Sequence, residues 1–232
     1  MTWWKGPLVG FDLETTGTDP EESRIVTAAL VDTVGGRLES TANWLLDPGV
    51  PIPAEATAIH GLDDGYVRER GRPAAEAVEE IAAALCERLT AGRPVVAFNA
   101  AFDLSLLDAE LRRYGRPALA ERLGGPVGPV VDAMVIDRAL DKYRKGSRTL
   151  QRVCEVYGVE LLDAHQAGSD ALAAVRVAVA LGERFPRQAG ELRPEELHQR
   201  QIGWHREWAQ GLQEFLRRKD ADVVIDPRWP VR

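Results

Sequence analysis

The chain has 232 residues, of which 45% are hydrophobic and 28% charged, and its formal net charge is −7. This is the composition of a globular protein long enough to bury a substantial core without staples. It argues against a protein that coats duplexes through bulk positive charge, and against a low-complexity polymer. An acidic balance still leaves nucleic acid open as a substrate, because bound Mg²⁺ would supply local positive charge. The opening M-T-W-W-K-G-P has no apolar leader, and the most apolar late run, residues 172–181, is broken by Arg176. No membrane segment is expected, and cytoplasmic is the expected location. Cys86 and Cys154 have no C-x-x-C spacing, so two free buried thiols are expected.

Apolar runs at 8–13, 25–31 and 44–46 read as three successive strands, with turns at 17–20 and at Gly35 and Gly36. Residues 48–65, with three prolines and three glycines, read as an irregular loop. Pro73 opens a helix carrying Ala77, Val78, Ile81, Leu85 and Leu89 at three-to-four spacing, and Gly92 stops it. A short strand at 95–98 precedes a helix over 102–114, and a fifth strand at 130–131 runs into a helix over 134–143. Helices over 149–157 and 169–185 follow. The order of strands and helices predicts a mixed five-stranded sheet flanked by helices.

After Phe185 the composition changes. Pro194 starts a long amphipathic helix with Leu197, Trp204, Trp208, Leu212 and Phe215 on one stripe, and residues 223–225 read as a last short strand. The division expected is a domain over 1–185 and a C-terminal helical extension over 186–232. The Trp-bearing stripe should pack on its own domain, or else on a second copy or a polymerase.

Chemistry concentrates in three patches. Asp12 and Glu14, two apart on the first strand, place both side chains on one face at its end. Asp103 opens a helix just after an apolar strand, with Asn99 and Phe102 beside it as an amide and a ring. Asp170 falls in the first turn of a later helix, and His165 precedes it by five residues in a loop. Acids at the edge of a core, with no bases near them in sequence, are what a pair of divalent ions would need. A histidine beside them titrates where a proton acceptor works best.

The patches F-D-L-E-T-T-G, A-F-N-A-A-F-D-L and H-Q-A-G-S-D-A resemble, in order, the three Exo motifs of the DEDDh exonucleases. These form the DnaQ-like group within the ribonuclease H-like fold. I-H-G-L at 59–62, V-D-A-M at 131–134 and R-T-L-Q-R-V-C-E-V-Y-G-V at 148–159 agree with it, so the resemblance spans roughly residues 7–182. A tyrosine-type third motif is absent, and Phe98 stands where many members carry histidine. The resemblance implies that Asp12, Glu14, Asp103 and Asp170 hold two Mg²⁺ or Mn²⁺ ions and that His165 is the base. It also implies that Leu13, Thr15 and Thr16 hold the terminal nucleotide, with Phe102 against its base and Asn99 nearby. His60 joins the substrate-contacting candidates, a structural part in its turn weighing more than a catalytic one.

Lys142, Arg144, Lys145, Arg148 and Arg152 form a basic run with no acid between them. A solvated face and a grip on the substrate backbone are both open, with Arg144, Lys145 and Arg148 as the gripping set. The expected activity is metal-dependent 3′–5′ hydrolysis of single-stranded or frayed DNA ends to nucleoside 5′-monophosphates. RNA 3′ ends are the alternative substrate, and a polymerase-docking subunit the alternative role.

Overall fold

A computed structural model describes residues 2–162 and 164–232; the Asp163 of the expected loop before His165 lies outside the described residues. A long hairpin begins the fold. β1 (Pro7–Thr15), β2 (Ile25–Val34) and β3 (Arg37–Asp47) run antiparallel, and β2 turns into β3 through Gly35 and Gly36 at φ of +58° and +78°. Two successive left-handed residues match the right-handed twist of the flanking strands, and glycine adopts them at no steric cost.

The chain then forms α1 (Ala54–His60) and α2 (Asp64–Arg70), where an irregular loop was expected. The prolines and glycines here punctuate helices. Pro53 stands immediately before α1, Gly61 closes it at φ +76°, and the Asp63 carboxylate accepts the Tyr66 N–H at 2.8 Å to cap α2. β4 (Arg72–Pro73) pairs with the end of β3 and leads into α3 (Ala74–Thr90). β5 (Val95–Ala97), α4 (Ala100–Arg113), α5 (Leu119–Leu123), β6 (Val130–Asp132), α6 (Ala133–Leu140), α7 (Leu150–Tyr157), α8 (Ala167–Arg184) and α9 (Pro194–Leu216) complete the order.

The result is a mixed six-stranded sheet in the order β4-β3-β2-β1-β5-β6, one strand more than expected because two residues of β4 join its edge. Val9, Phe11 and Leu13 of β1 face a core built with α3 and α4. On the opposite face α8 crosses β1 at Gly10. A Cβ built there would lie 2.6 Å from the Ala171 carbonyl oxygen. Glycine at that position lets helix backbone touch strand backbone, which sets the depth of the α8 N-terminus over the sheet.

Helix α9 packs along β6. Its His198 Nδ1 accepts the Val130 N–H at 3.1 Å, Gln201 Oε1 accepts the Asp132 N–H at 2.7 Å, and Gln201 Nε2 donates to the Val130 carbonyl at 2.9 Å. Side chains thus complete hydrogen bonds that a seventh strand would otherwise have made. Leu197 is fully buried, Trp204 touches the cores on both faces of the sheet, and Phe215 at the far end points outward. The strand expected at 223–225 does not form. Its backbone is bound by α9 itself: Arg217 donates to the Val223 carbonyl and Gln213 accepts the Ile225 N–H. Both cysteines are free, Cys154 buried and Cys86 partly so. No helix among the described residues is long and apolar enough to cross a membrane.

Candidate active site

Three backbone segments converge at the C-terminal end of β1. Asp12 and Glu14 lie opposite Ala29 and Thr27 of β2, on the face that Gly10 presents to α8. The spacing of two is what brings both carboxylates to that side. Asn99, at φ +76°, turns the chain from β5 into α4, and places Asp103 in the first helical turn. Asp103 is 3% exposed, and one of its oxygens accepts the Leu13 N–H at 3.2 Å, so α4 is tied to the strand between the two other acids. From the third side, His165 at φ +68° reverses the chain before α8, and its N–H reaches the Asp170 carboxylate at 3.3 Å. Asp170 Oδ1 is buried without a hydrogen-bond partner. Ligand atoms of Glu14, His165 and Asp170 all lie within 4.8 Å of one another.

The electrostatics of this cluster set it apart from the rest of the molecule. Burial, then the Asp103, Asp170 and Glu14 carboxylates, hold Asp12 well above the ordinary range. Burial with Asp132 and Glu14 nearby does the same to Asp103. Burial and Asp170 push Glu14 up to about 7, and burial raises Asp170. Elsewhere the fold satisfies its buried acids. Glu110 is held by Arg24 at 2.5 Å and Arg113 at 2.9 Å, Asp32 by Arg88 at 2.7 Å and Arg93 at 3.0 Å, and Asp137 by Arg144 and Arg148. Among the described residues the site acids have no such base. Like charges crowded into a partly desolvated corner repel unless protons or cations intervene. Four carboxylates, one with an orphaned buried oxygen, fit a hard divalent cation.

A groove of about 760 Å³ opens from Glu14 and His165 along β2 and β3, with Asn43, Trp44 and Tyr66 among its lining. His60 stands on the same groove. Its Nδ1 accepts the Leu62 N–H at 3.1 Å; burial and His165 lower its pKa, opposed by the Thr15 carbonyl. Leu13 is buried, the Thr15 hydroxyl donates to the Gly17 carbonyl, and the Thr16 hydroxyl accepts the Arg24 N–H. Phe102 packs partly against the core, one residue before Asp103.

The basic run divides. Arg144 and Arg148 turn inward onto Asp137, which is fully buried and also accepts the Tyr157 hydroxyl at 2.9 Å. These two arginines, read as part of a grip on the substrate backbone, hold α6 to the following loop through their guanidiniums. Lys145 stays exposed. Sequence reasoning also passed over Asp132, which accepts N–H groups from Asn99, Ala100, Met134 and Val135. An acid ending an apolar strand and opening a helix was the signal, the same context that drew attention to Asp103.

Comparison with known proteins agrees with this geometry. A family model described as an exonuclease, RNase_T, matches residues 9–178. PolC-type DNA polymerase III of Caldanaerobacter subterraneus is 28% identical over 181 residues, covering 78% of this chain and 12% of the polymerase. The Halalkalibacterium halodurans PolC-type protein is 29% identical over 165 residues, 71% of this chain and 10% of its own. Among solved structures, Escherichia coli exonuclease I in complex with a dA16 oligonucleotide has a TM-score of 0.68 at 19% identity, covering 87% of this chain and 44% of that one. Exonuclease I from Methylocaldum szegediense has a TM-score of 0.65 at 23% identity, covering 90% and 46%. The chain therefore spans about a tenth of the polymerases it matches and under half of each exonuclease I chain, and the latter likeness shows the fold.

Proposed function

The chain belongs to the exonuclease family whose model covers residues 9–178, and on that premise we propose that it removes nucleotides from the 3′ end of single-stranded DNA. The observation that carries the reading is the convergence of Asp12, Glu14, Asp103 and Asp170 without a neutralising base, in a fold that pairs Glu110, Asp32 and Asp137 with arginines. These four would hold two divalent ions, Mg²⁺ or Mn²⁺. When bound, such ions supply Lewis-acid activation of water and stabilise charge on the departing oxygen.

The residues of the chain divide the remaining work. His165, exposed at the rim with its backbone N–H on Asp170, takes the proton of the attacking water on its imidazole. Residues 13–16 and Phe102 hold the terminal nucleotide, and the groove past His60 receives a neighbouring part of the strand. Lys145 meets a backbone phosphate. A relation to DNA synthesis is supported by the likeness to PolC-type DNA polymerase III, and the oligonucleotide in the exonuclease I complex supports a single-stranded substrate. Docking of a polymerase or a second copy through α9 has less support, because Leu197 and Trp204 of that helix's apolar stripe pack on its own domain.

The test is digestion of matched 5′-labelled DNA and RNA single strands with Mg²⁺, with Mn²⁺ and with chelator. Wild type is run beside His165→Ala and Asp12→Ala. A metal-dependent ladder shortening from the 3′ end of DNA, abolished in both variants, supports the reading. Faster loss of RNA moves the substrate to the other nucleic acid, and no ladder on either strand refutes the proposal.

A further inference from the structure

The last residues of the chain return to the helix that carries Asp103. Trp229 is 6% exposed, and its indole Nε1–H donates to Asp132 Oδ2 at 3.2 Å. The same oxygen accepts the Ala100 N–H at 2.8 Å, while Asp132 Oδ1 accepts the Asn99 N–H at 3.1 Å. One turn further along α4, the Ser105 hydroxyl accepts the Arg232 N–H at 2.9 Å. The tail therefore holds α4 at both ends of the turn that contains Asp103. Gln201 of α9 fixes the other side of the junction by accepting the Asp132 N–H. The Asp132 carboxylate thus serves the N-termini of α4 and α6 together, with the tail indole as its fifth donor.

We propose that Trp229 is a positioning residue of the metal site: acting through Asp132, it sets the first turn of α4 against β1 and so fixes where the Asp103 carboxylate stands. The inference rests on the reading of Asp103 as a metal ligand. Partners that orient a metal ligand typically change affinity by about 10–100-fold when removed. Trp229 acts one hydrogen bond further out than such a partner, so an effect at the lower end, about tenfold, is expected.

The experiment is Mn²⁺ titration of the full chain by calorimetry, with wild type, Trp229→Phe and Trp3→Phe. Phenylalanine keeps a ring against His198, which lies 5.0 Å from the Trp229 ring, and removes the N–H together with part of the indole, a loss of volume that Trp3→Phe shares. Trp3 is the matched control, since it is also 6% exposed and its indole N–H donates to a buried acceptor, the Ala189 carbonyl at 3.0 Å, outside the site. Both variants should melt at similar temperatures in chelator. Trp229→Phe alone should weaken Mn²⁺ by about tenfold and lower kcat with little change in KM. Unchanged Mn²⁺ affinity in Trp229→Phe, or an equal loss in Trp3→Phe, overturns the proposal. A wild type that binds no Mn²⁺ overturns the metal-ligand reading itself, and this inference with it.

Discussion

Replacing Gly10 by alanine tests the link between packing and chemistry most directly. The added methyl would stand 2.6 Å from the Ala171 carbonyl oxygen and 3.0 Å from Val175 Cγ2. Comfortable carbon contacts begin near 3.5 Å, so the helix must retreat by several tenths of an ångström, roughly half to one ångström in all. Overpacking of that kind costs about 1–3 kcal/mol. Asp170 immediately precedes Ala171, so its carboxylate moves with the helix. For a chain of this size each kcal/mol lowers Tm by about 2–4 °C. Calorimetric melting in chelator should show that fall, and Mn²⁺ titration should show weaker binding than wild type. The matched change is Gly203→Ala in α9, where nothing lies within 4 Å of the new methyl. There the helix gains up to about 1 kcal/mol and the metal affinity stays put. A Gly10→Ala protein with wild-type Tm and wild-type Mn²⁺ affinity would refute the claim that this contact sets the depth of α8.

Further outcomes are expected. Glu14 titrates at about 7 when metal-free, against an ordinary value of 4.5, so the folded chain holds more protons than the unfolded one in between. Its contribution to stability is full below 4.5 and is lost as pH rises through about 7; melting in chelator should show this as a slope that Glu14→Gln flattens and Mn²⁺ suppresses, and identical slopes in wild type and variant would count against it. Asp137→Ala strands two guanidiniums and should cost about 3–5 kcal/mol in denaturant unfolding, whereas a loss below 1 kcal/mol would mean that the pair is not structural. Lys145→Ala should leave stability within about 0.5 kcal/mol and reduce the salt dependence of KM by about one phosphate contact; an unchanged salt slope removes Lys145 from the substrate path. His165→Ala should fold normally and lower kcat by about 10²–10⁴ in single-turnover assays, and full activity would assign the proton to another group.

The parts of this fold that could be read from sequence are those determined locally. Alternation along β1 put Asp12 and Glu14 on one side, and two glycines between apolar runs specified a two-residue hairpin. Asp103 and Asp170 announced themselves as acids in the first turns of helices after apolar segments. What escaped reading depends on partners outside the local pattern. Arg144 and Arg148 read as a solvated face or a grip on the substrate because their acid, Asp137, lies upstream across a helix end. The tail gave no hint that Trp229 would meet Asp132, because a hydrogen bond across 97 positions leaves no periodic trace. Proline and glycine between 48 and 65 were ambiguous for a different reason: the residues that break helices also begin and end them.

The side-chain ladder that His198 and Gln201 lay along β6 has a consequence for how the molecule is made. Until residue 201 has left the ribosome, Val130 and Asp132 present bare donors and acceptors on an open strand, beside an already assembled sheet. A fragment cut at 185 would carry that raw edge permanently, and a raw edge recruits whatever strand arrives first, including its own twin. The segment that lends the site no carboxylate is the one that covers the open edge of its sheet.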